Sequence, residues 1–439
     1  MRIPPEVSEI LKTLETHGHA AHCVGGCVRD SLLGRTPEDW DVTTSALPEE
    51  TMAFFSGRAL PTGLRHGTVT VRTAGGNVEV TTFRTDGTYA DNRHPDSVTF
   101  TRSLTEDLSR RDFTVNAMAV DLRGQLADPF GGQDDLSRGV LRCVGDPAQR
   151  FSEDALRILR CLRFSAVLGF SVQSETALAL REHRSLLSGI AAERIQVELQ
   201  KLLCGMAAAE VLREFPEVIG TALPEILPMV GFDQCSRYHC YDVWEHTLHA
   251  LSASPATPVL RWAVLLHDIG KPSCFTLDSR GGHFYGHPAV SAELADGILR
   301  RLKFDTETRS AVVELVAWHD RDIPRSEKGV RRALMKLGEV QLRRLLDVKR
   351  ADNLGQAPAF RGRQTEIDRG ETILDGLLAD NACFSLKQLA VNGRDLLALG
   401  LRGRAVGAVL NALLESVVDG QLPNEKAALL SAVESMSSP

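Results

Sequence analysis

The sequence predicts an α+β protein with its strands gathered near one end and helices over the remainder. Three observations carry that reading. β-Branched runs and Gly-rich turns cluster in the first ~130 residues. From about Phe151 onward strand signals vanish and apolar residues recur at helical spacing to the end. The length, 439 residues, exceeds what one hydrophobic core fills, so two to four domains are expected.

In chain order, AAHCVGG (Ala20 to Gly26) reads as a strand that turns at Gly25-Gly26 into the short helix of GGCVRDSLLG. EDWDVTTS (Glu38 to Ser45) reads as a second strand. Strand side chains alternate, so Asp39 and Asp41 share a face and Trp40 takes the other. TVTVRTAGGNVEVTTFR (Thr68 to Arg84) reads as a hairpin joined by Gly75-Gly76-Asn77. Glu79, between Val78 and Val80, projects from the face opposite those valines. Thr85 to Val98 is polar and turn-rich and reads as a mobile loop. Breaks near Gly205, near Asp322-Pro324 and near Leu354-Pro358 suit joints between helical segments.

Composition narrows the class. Hydrophobic content of 43% and charged content of 24% are those of an ordinary soluble globular protein. No run of about 18 apolar residues exists, so no membrane partner is expected. MRIPPEVSEILKTLE lacks the basic-then-apolar pattern of a signal peptide. Nine scattered cysteines without a CxxC pair suit reduced thiols in a cytoplasm better than a disulfide framework. The net charge of −7 argues weakly against a polyanion partner, yet Arg325 to Arg350 holds nine Lys or Arg against three Asp or Glu.

Two like charges on one strand face repel, and a cation between them resolves the conflict. Mg²⁺ suits a few carboxylates together with water and substrate phosphates. With Glu79 as a third carboxylate, such a set can hold two metals for in-line displacement at phosphorus. The Gly25-Gly26 turn offers backbone N–H groups to a triphosphate, and Arg29 on the next helix adds charge. A lone DxD is as readily a solvated strand end. The GG-x-VRD segment upstream and Glu79 downstream favour the metal site.

EDALRILRCLRF spaces Asp154, Arg157, Arg160 and Arg163 every three residues, one slanting stripe on a helix whose other side is Ile158, Leu159, Leu162 and Phe164. A solvated basic face is the ordinary reading of such a stripe. An acidic residue at its start suggests recognition instead. Cytosine and adenine each present an amino donor beside a ring-nitrogen acceptor, so one carboxylate and one guanidinium fit both. Uracil and guanine present the reversed pattern and leave groups unpaired.

Taken together, CVGGCVRDSLLGRTPEDWDVTTSALPEE, VEVTTFR, DLSRRDFTVNAMA, DPFGG, RFSEDALRILRCLRF and ERIQVEL resemble, in order, the motifs of the class II tRNA nucleotidyltransferase and poly(A) polymerase family. The resemblance spans about the first 200 residues. It implies a polymerase-β-like nucleotidyltransferase head (1–145), an all-α neck that recognises the base (146–205), a body (206–355) and a helical tail (356–439). It implies that Asp39 and Asp41 bind catalytic Mg²⁺ and that Glu79 completes the set. Gly25, Gly26 and Arg29 would meet the triphosphate, Arg111 the nucleotide and Asp112 the ribose region. Asp154 and Arg157 would select the base, with Arg160 and Arg163 steadying the nucleotide.

In the middle of the chain, YDVWEHTLHAL, LRWAVLLHDIGKP and FYGHPAVSAELADGIL resemble a metal-dependent HD phosphohydrolase domain. The implied ligands are His246, His267, Asp268, His287, His319 and Asp352, a set suited to a divalent transition metal such as Ni²⁺, Mn²⁺ or Co²⁺. A lone His-Asp pair would merely cap a helix before Gly270 and Pro272; the ordered set argues otherwise. QLAVNGRDLLALG (Gln388 to Gly400) resembles the tail segment that holds the tRNA elbow. The expected activity is addition of CCA to tRNA from CTP and ATP, with phosphohydrolysis in the HD domain. A-only addition and poly(A) synthesis share these motifs. The loop at Thr85 to Val98 disfavours CC-only addition, since such relatives lack it. A reading from another class is an RNA-binding HD hydrolase with a decayed head, against which stand the intact Asp39, Asp41, Glu79, Asp154 and Arg157.

Overall fold

The computed structural model describes residues 1–87, 96–236, 240–279, 281–322 and 326–437. The chain divides into two compact units, Met1–Pro224 and Glu225–Pro439.

The first unit is built on a mixed seven-stranded sheet. Its strand order is Ala59–Gly63, Thr68–Thr73, Gly76–Thr82, Asp41–Thr44, Ala21–Val24, Ala119–Val120, Leu126–Ala127. Only Asp41–Thr44 and Gly76–Thr82 run parallel, with Asp41 opposite Glu79 and Val42 opposite Val80. Val42, Val69, Val71, Val78 and Val80 are buried, while Asp41 and Glu79 are exposed. Alternation along each strand therefore puts the valines in the core and both carboxylates in water. The first helix, Pro5–Thr16, buries Val7, Ile10, Leu11 and Leu14, the spacing of one helical face.

Three expectations are corrected here. The strand that carries Asp41 begins at Asp41, so Asp39 and Trp40 precede it. Gly25, at φ +80, turns the neighbouring strand into helix where Trp40 would have paired. The hairpin turns at Ala74-Gly75 rather than at Gly75-Gly76-Asn77, because Thr73 pairs with Gly76 and Arg72 with Asn77. The ends of the segment read as a loop form a ribbon, Arg84–Asp86 against Val98–Phe100, whereas residues 88–95 lie outside the described residues.

Helices follow the sheet. Leu156–Leu168 buries Ile158, Leu159, Leu162 and Phe164 and packs against Ala192–Leu203. At Gly205 a Cβ would fall 2.6 Å from the Ala166 carbonyl group, so the backbone there needs glycine to approach the helix. Two short pairings correct the reading of an all-helical remainder. Ser171–Val172 runs parallel to Val140–Leu141, and Thr276–Asp278 pairs with Gly281–His283. Strands of two or three residues are too short to show alternation.

The second unit consists mainly of helices, among them Val243–Ala253, Pro258–Leu266, His287–Arg301, Thr306–Trp318, Glu327–Gly355, Gln364–Ala379 and Arg404–Val418. Glu327–Gly355 is interrupted at Gly338, whose φ of 74 and ψ of 168 leave the helical region. Of the expected joints, 323–325 lies outside the described residues, and the one at Leu354-Pro358 coincides with the end of this helix. No disulfide forms among the described residues, and no helix there is long and apolar enough to cross a membrane.

Candidate functional site

Asp41 and Glu79 are neighbours across the one parallel pairing of the head sheet, and Asp39 lies two residues ahead of Asp41. Desolvation in this recess raises the Asp41 carboxyl above the usual range, although the residue keeps solvent access. Arg111 opposes that shift, while Glu79 and Asp39 add to it. The three carboxylates do not draw together as tightly as the histidine clusters described below.

The Gly25 turn is shaped to admit Arg111. A Cβ at Gly25 would sit 2.9 Å from Arg111 Nη1, and its φ of +80 favours glycine in any case. Arg111 Nε is buried and has no hydrogen-bond partner among the described residues. The acidic groups that favour its charge are Asp107, Asp41 and Asp112.

Arg29 and Asp112 are instead parts of a buried chain of hydrogen bonds. Arg29 donates to both Asp30 carboxylate oxygens, at 2.8 and 2.9 Å, and to Asn116 Oδ1 at 2.7 Å. Asn116 Nδ2 donates to Asp112 Oδ1 at 3.1 Å. Asp112 Oδ2 accepts from Arg160 Nε at 2.9 Å and Nη2 at 2.6 Å. Burial alone would raise Asp112, but Arg160, helped by Asn116 and Arg157, outweighs it and holds the carboxyl down at about 2. The chain ties the helix after the Gly25 turn to the helix Leu156–Leu168.

On that helix the arginine stripe is present, but Asp154 is not on it. Asp154 adopts extended geometry between Pro147–Glu153 and Leu156–Leu168, and its Oδ1 accepts the Leu156 N–H at 3.1 Å. Aspartate is well suited to that capping position. Arg157 donates to Glu153 Oε2 at 2.7 Å and to the carbonyls of Arg110 and Arg150, at 2.9 and 3.2 Å, rather than to Asp154. Arg194 reaches Asp154 at 3.4 Å, and Arg163 pairs with Glu198 at 2.5 Å. Arg163, Arg29 and Arg160 lie 3.9, 5.1 and 5.4 Å from the centre of the Phe164 ring. Asn116, Glu153, Arg194 and Glu198 were given no role from sequence. All four lie inside motifs recognised there, so the signal was their membership of those motifs.

In the second unit the six HD residues come together from five helices or their ends. His246 Nε2 lies 3.0 Å from Asp352 Oδ1 and 3.3 Å from Asp268 Oδ2. His267 Nε2 lies 3.1 Å from Asp268 Oδ2. His287 and His319 approach Asp268 Oδ1 at 3.3 and 3.6 Å. Two triads result, His246-His267-Asp352 and Asp268-His287-His319, each with ligand atoms within 4.8 Å of one another. The Nδ1 atoms of His267, His287 and His319 face the carbonyls of Val264, Phe284 and Val316 at 2.7, 2.8 and 2.7 Å, each three residues back. A proton on Nδ1 donated to those carbonyls leaves Nε2 bare toward the centre, as a metal ligand requires.

The centre is electronegative. Burial works against a charged His267, but Asp268 and Asp352 outweigh it and push the imidazole up to about 10. Both aspartates are held well below the carboxylate range by the same pairing. A metal competes with protons for such ligands, so affinity falls as pH falls. Lys271, which the sequence marks only as part of the HDIGKP motif, is buried with Nζ 2.7 Å from Asp268 and 2.9 Å from Gln234. Lys349 Nζ takes the His319 carbonyl at 2.6 Å and that of Arg321, fixing the segment after His319. The cluster opens on a cleft of about 720 Å³.

Comparison with known proteins agrees with both halves. Residues 21–142 match the Poly A polymerase head domain, 169–217 the probable RNA and SrmB-binding site of polymerase A, and 237–356 the HD domain. The CCA-adding enzyme of Geobacillus thermodenitrificans is 37% identical over 95% of this chain and 93% of its own. That of Geobacillus stearothermophilus is 38% identical over 96% and 95%. The crystal structure of the Bacillus stearothermophilus CCA-adding enzyme in complex with CTP superposes with a TM-score of 0.73 at 32% identity, covering 99% of each chain. With relatives this similar over nearly its whole length, the chain belongs to the family of the CCA-adding enzymes.

Proposed function

We propose that the protein adds CCA to the 3′ end of tRNA from CTP and ATP without a nucleic-acid template. The observation that carries this reading is the in-register pair Asp41 and Glu79 on the solvent face of the head sheet, under the influence of Arg111. The CTP bound to the Bacillus stearothermophilus relative and the names of the curated relatives support it. The family's chemistry implies a divalent metal, and a cation there would offset both the desolvation that chiefly raises Asp41 and the repulsion from Glu79 and Asp39 that adds to it.

In this reading Asp39 and Asp41 would hold Mg²⁺ and Glu79 would complete the carboxylate set. Bound there, the metal would lower the proton affinity of the 3′-hydroxyl and offset charge at the α-phosphate. The RNA 3′-hydroxyl gives up its proton to solvent as its oxygen bonds to the α-phosphorus, the bond from the α-phosphorus to the bridging oxygen breaks, and pyrophosphate leaves with that oxygen. Arg111 and the backbone at Gly25 and Gly26 receive the triphosphate. Arg29 acts mainly by fixing Asn116 and, through Asp112, Arg160. Asp154 accepts from the amino group of C or A, and Arg157 donates to the ring nitrogen once drawn from Glu153. Arg163 steadies the same pocket. The head spans 1–145, the neck 146–205, the body 206–355 and a tRNA-binding tail 356–439, working in the cytoplasm.

Single-nucleotide incorporation with each NTP tests the reading. Wild type takes C and A and refuses U and G. Arg157→Ala is expected to lose ~1–3 kcal/mol of that discrimination, the worth of one base-edge contact. If Arg157→Ala slows all four equally and keeps its preference, base selection lies elsewhere.

The HD cluster supports a second, metal-dependent activity. The Nε2 atoms that three histidines turn toward the centre, with Asp268 of one triad reaching the histidines of the other, suit Ni²⁺, Mn²⁺ or Co²⁺. Such a metal would supply an activated water. The suited reaction is hydrolysis of a phosphoester such as a 2′,3′-cyclic phosphate, whose removal prepares an RNA end for the head. In that reaction water's oxygen bonds to phosphorus and one ring P–O bond breaks, leaving a monoester and a free hydroxyl.

A further inference from the structure

The mouth of the HD cleft carries an aromatic surface that the histidine cluster does not need. Tyr285 is 78% exposed, yet it lines the same cleft as Asp268, Lys271, His287 and His319. Single exposed rings are common and call for no explanation. This one has a neighbour on one face. Its ring stacks on His283 at 5.2 Å with an interplanar angle of 9°. His283 is in turn tied to Asp278 at 3.0 Å across the Thr276–Asp278 and Gly281–His283 pairing. Tyr285 also stands two residues before His287, so the chain fixes its distance from the cluster. One face of the ring is covered, and its exposure leaves area for a second flat partner.

Chemistry narrows what that partner is. The cleft volume of about 720 Å³ lies within the ~300–1,000 Å³ usual for organic ligands and exceeds what a bare phosphate fills. Cationic Lys271 and the metal-binding histidines suit the phosphate end of a ligand. An exposed ring backed by a second ring suits a nucleobase, which stacks whatever its sequence identity. We propose that Tyr285, backed by His283, is the base-stacking wall of the HD cleft, so that the site takes nucleoside phosphates and RNA 3′ ends in preference to simple phosphate esters. This rests on reading the cluster as a phosphoester site.

The test uses the full chain with Mn²⁺ and two esters, adenosine 2′,3′-cyclic phosphate and methyl ribofuranoside 2′,3′-cyclic phosphate, which lacks the base. Tyr285→Ala is expected to raise KM for the adenosine ester roughly 5- to 100-fold, to leave kcat nearly unchanged, and to leave the base-free ester unaffected. Tyr285→Trp, which keeps a stacking surface, restores the wild-type KM. Equal changes for both esters overturn the proposal. If wild type hydrolyses neither ester, the hydrolase reading fails by itself and binding decides the stacking. Saturable quenching of the added Tyr285→Trp emission by AMP, but not by ribose 5-phosphate, supports the wall. Emission indifferent to AMP overturns it.

Discussion

Asp41→Ala is expected to abolish nucleotide addition, with kcat falling on the order of 10³-fold or more while the protein stays folded. Loss of a metal that activates the 3′-oxygen removes several kcal/mol from transition-state stabilisation, and each ~1.4 kcal/mol is tenfold in rate. The fold does not depend on this residue. Asp41 keeps solvent access, but partial desolvation and the neighbouring Glu79 and Asp39 disfavour its charge. Its carboxyl is raised above the usual range, so the folded state binds its proton more tightly than the unfolded chain does. Stability therefore falls as pH rises from the unfolded to the folded value, and at neutral pH the ionised Asp41 works against folding. Asp41→Ala should unfold at the same temperature as wild type or slightly higher at pH 7, with no advantage in acid. Single-turnover extension and thermal unfolding at two pH values check both parts. Addition at near wild-type rate in Mg²⁺ would contradict the metal-site reading.

His267→Ala carries the second large effect. It removes an Nε2 that meets Asp268 at 3.1 Å and His246 at 3.4 Å in the buried centre. Loss of a partner to a metal ligand costs ~10–100-fold, and loss of a ligand itself should exceed ~100-fold in metal retention and in hydrolysis. The head uses other ligands, so the same variant should add nucleotides to intact tRNA within about twofold of wild type. Metal content of the purified protein, cyclic phosphate hydrolysis and tRNA extension, measured together, separate the two sites. Undiminished metal in His267→Ala would contradict the assignment.

Much of this was legible in the sequence because it rests on local rules. Alternation around Val78 and Val80 places Glu79 on the solvent face, and the structure has it there. That Glu79 lies in register with Asp41 is non-local, set by two strands 38 positions apart becoming parallel neighbours. Asp39 was read as strand because alternation does not reveal where a pairing partner ends, and here it ends at Gly25. Asp154 was read as helical because its spacing to Arg157 fits 3.6 residues per turn. The same residue type is a strong helix cap, and capping prevailed.

The arginines show a further limit. Sequence gives their positive charge but not their partners, and Glu153, Asp112 and Glu198 take up three of them. The HD ligands were legible as an ordered motif set. Their two triads, one of which includes Asp268, needed five helical segments to converge, which no spacing rule supplies.

The most direct measurement follows the end product on three tRNA transcripts, ending before CCA, after the first C and after CC, read at single-nucleotide resolution. With CTP alone the first should gain two residues and the second one. With CTP and ATP all three should converge on CCA and stop, and with ATP alone only the third should gain its single A. Extension of the third transcript alone, or a ladder of A residues beyond CCA, would contradict CCA addition as the function of this protein.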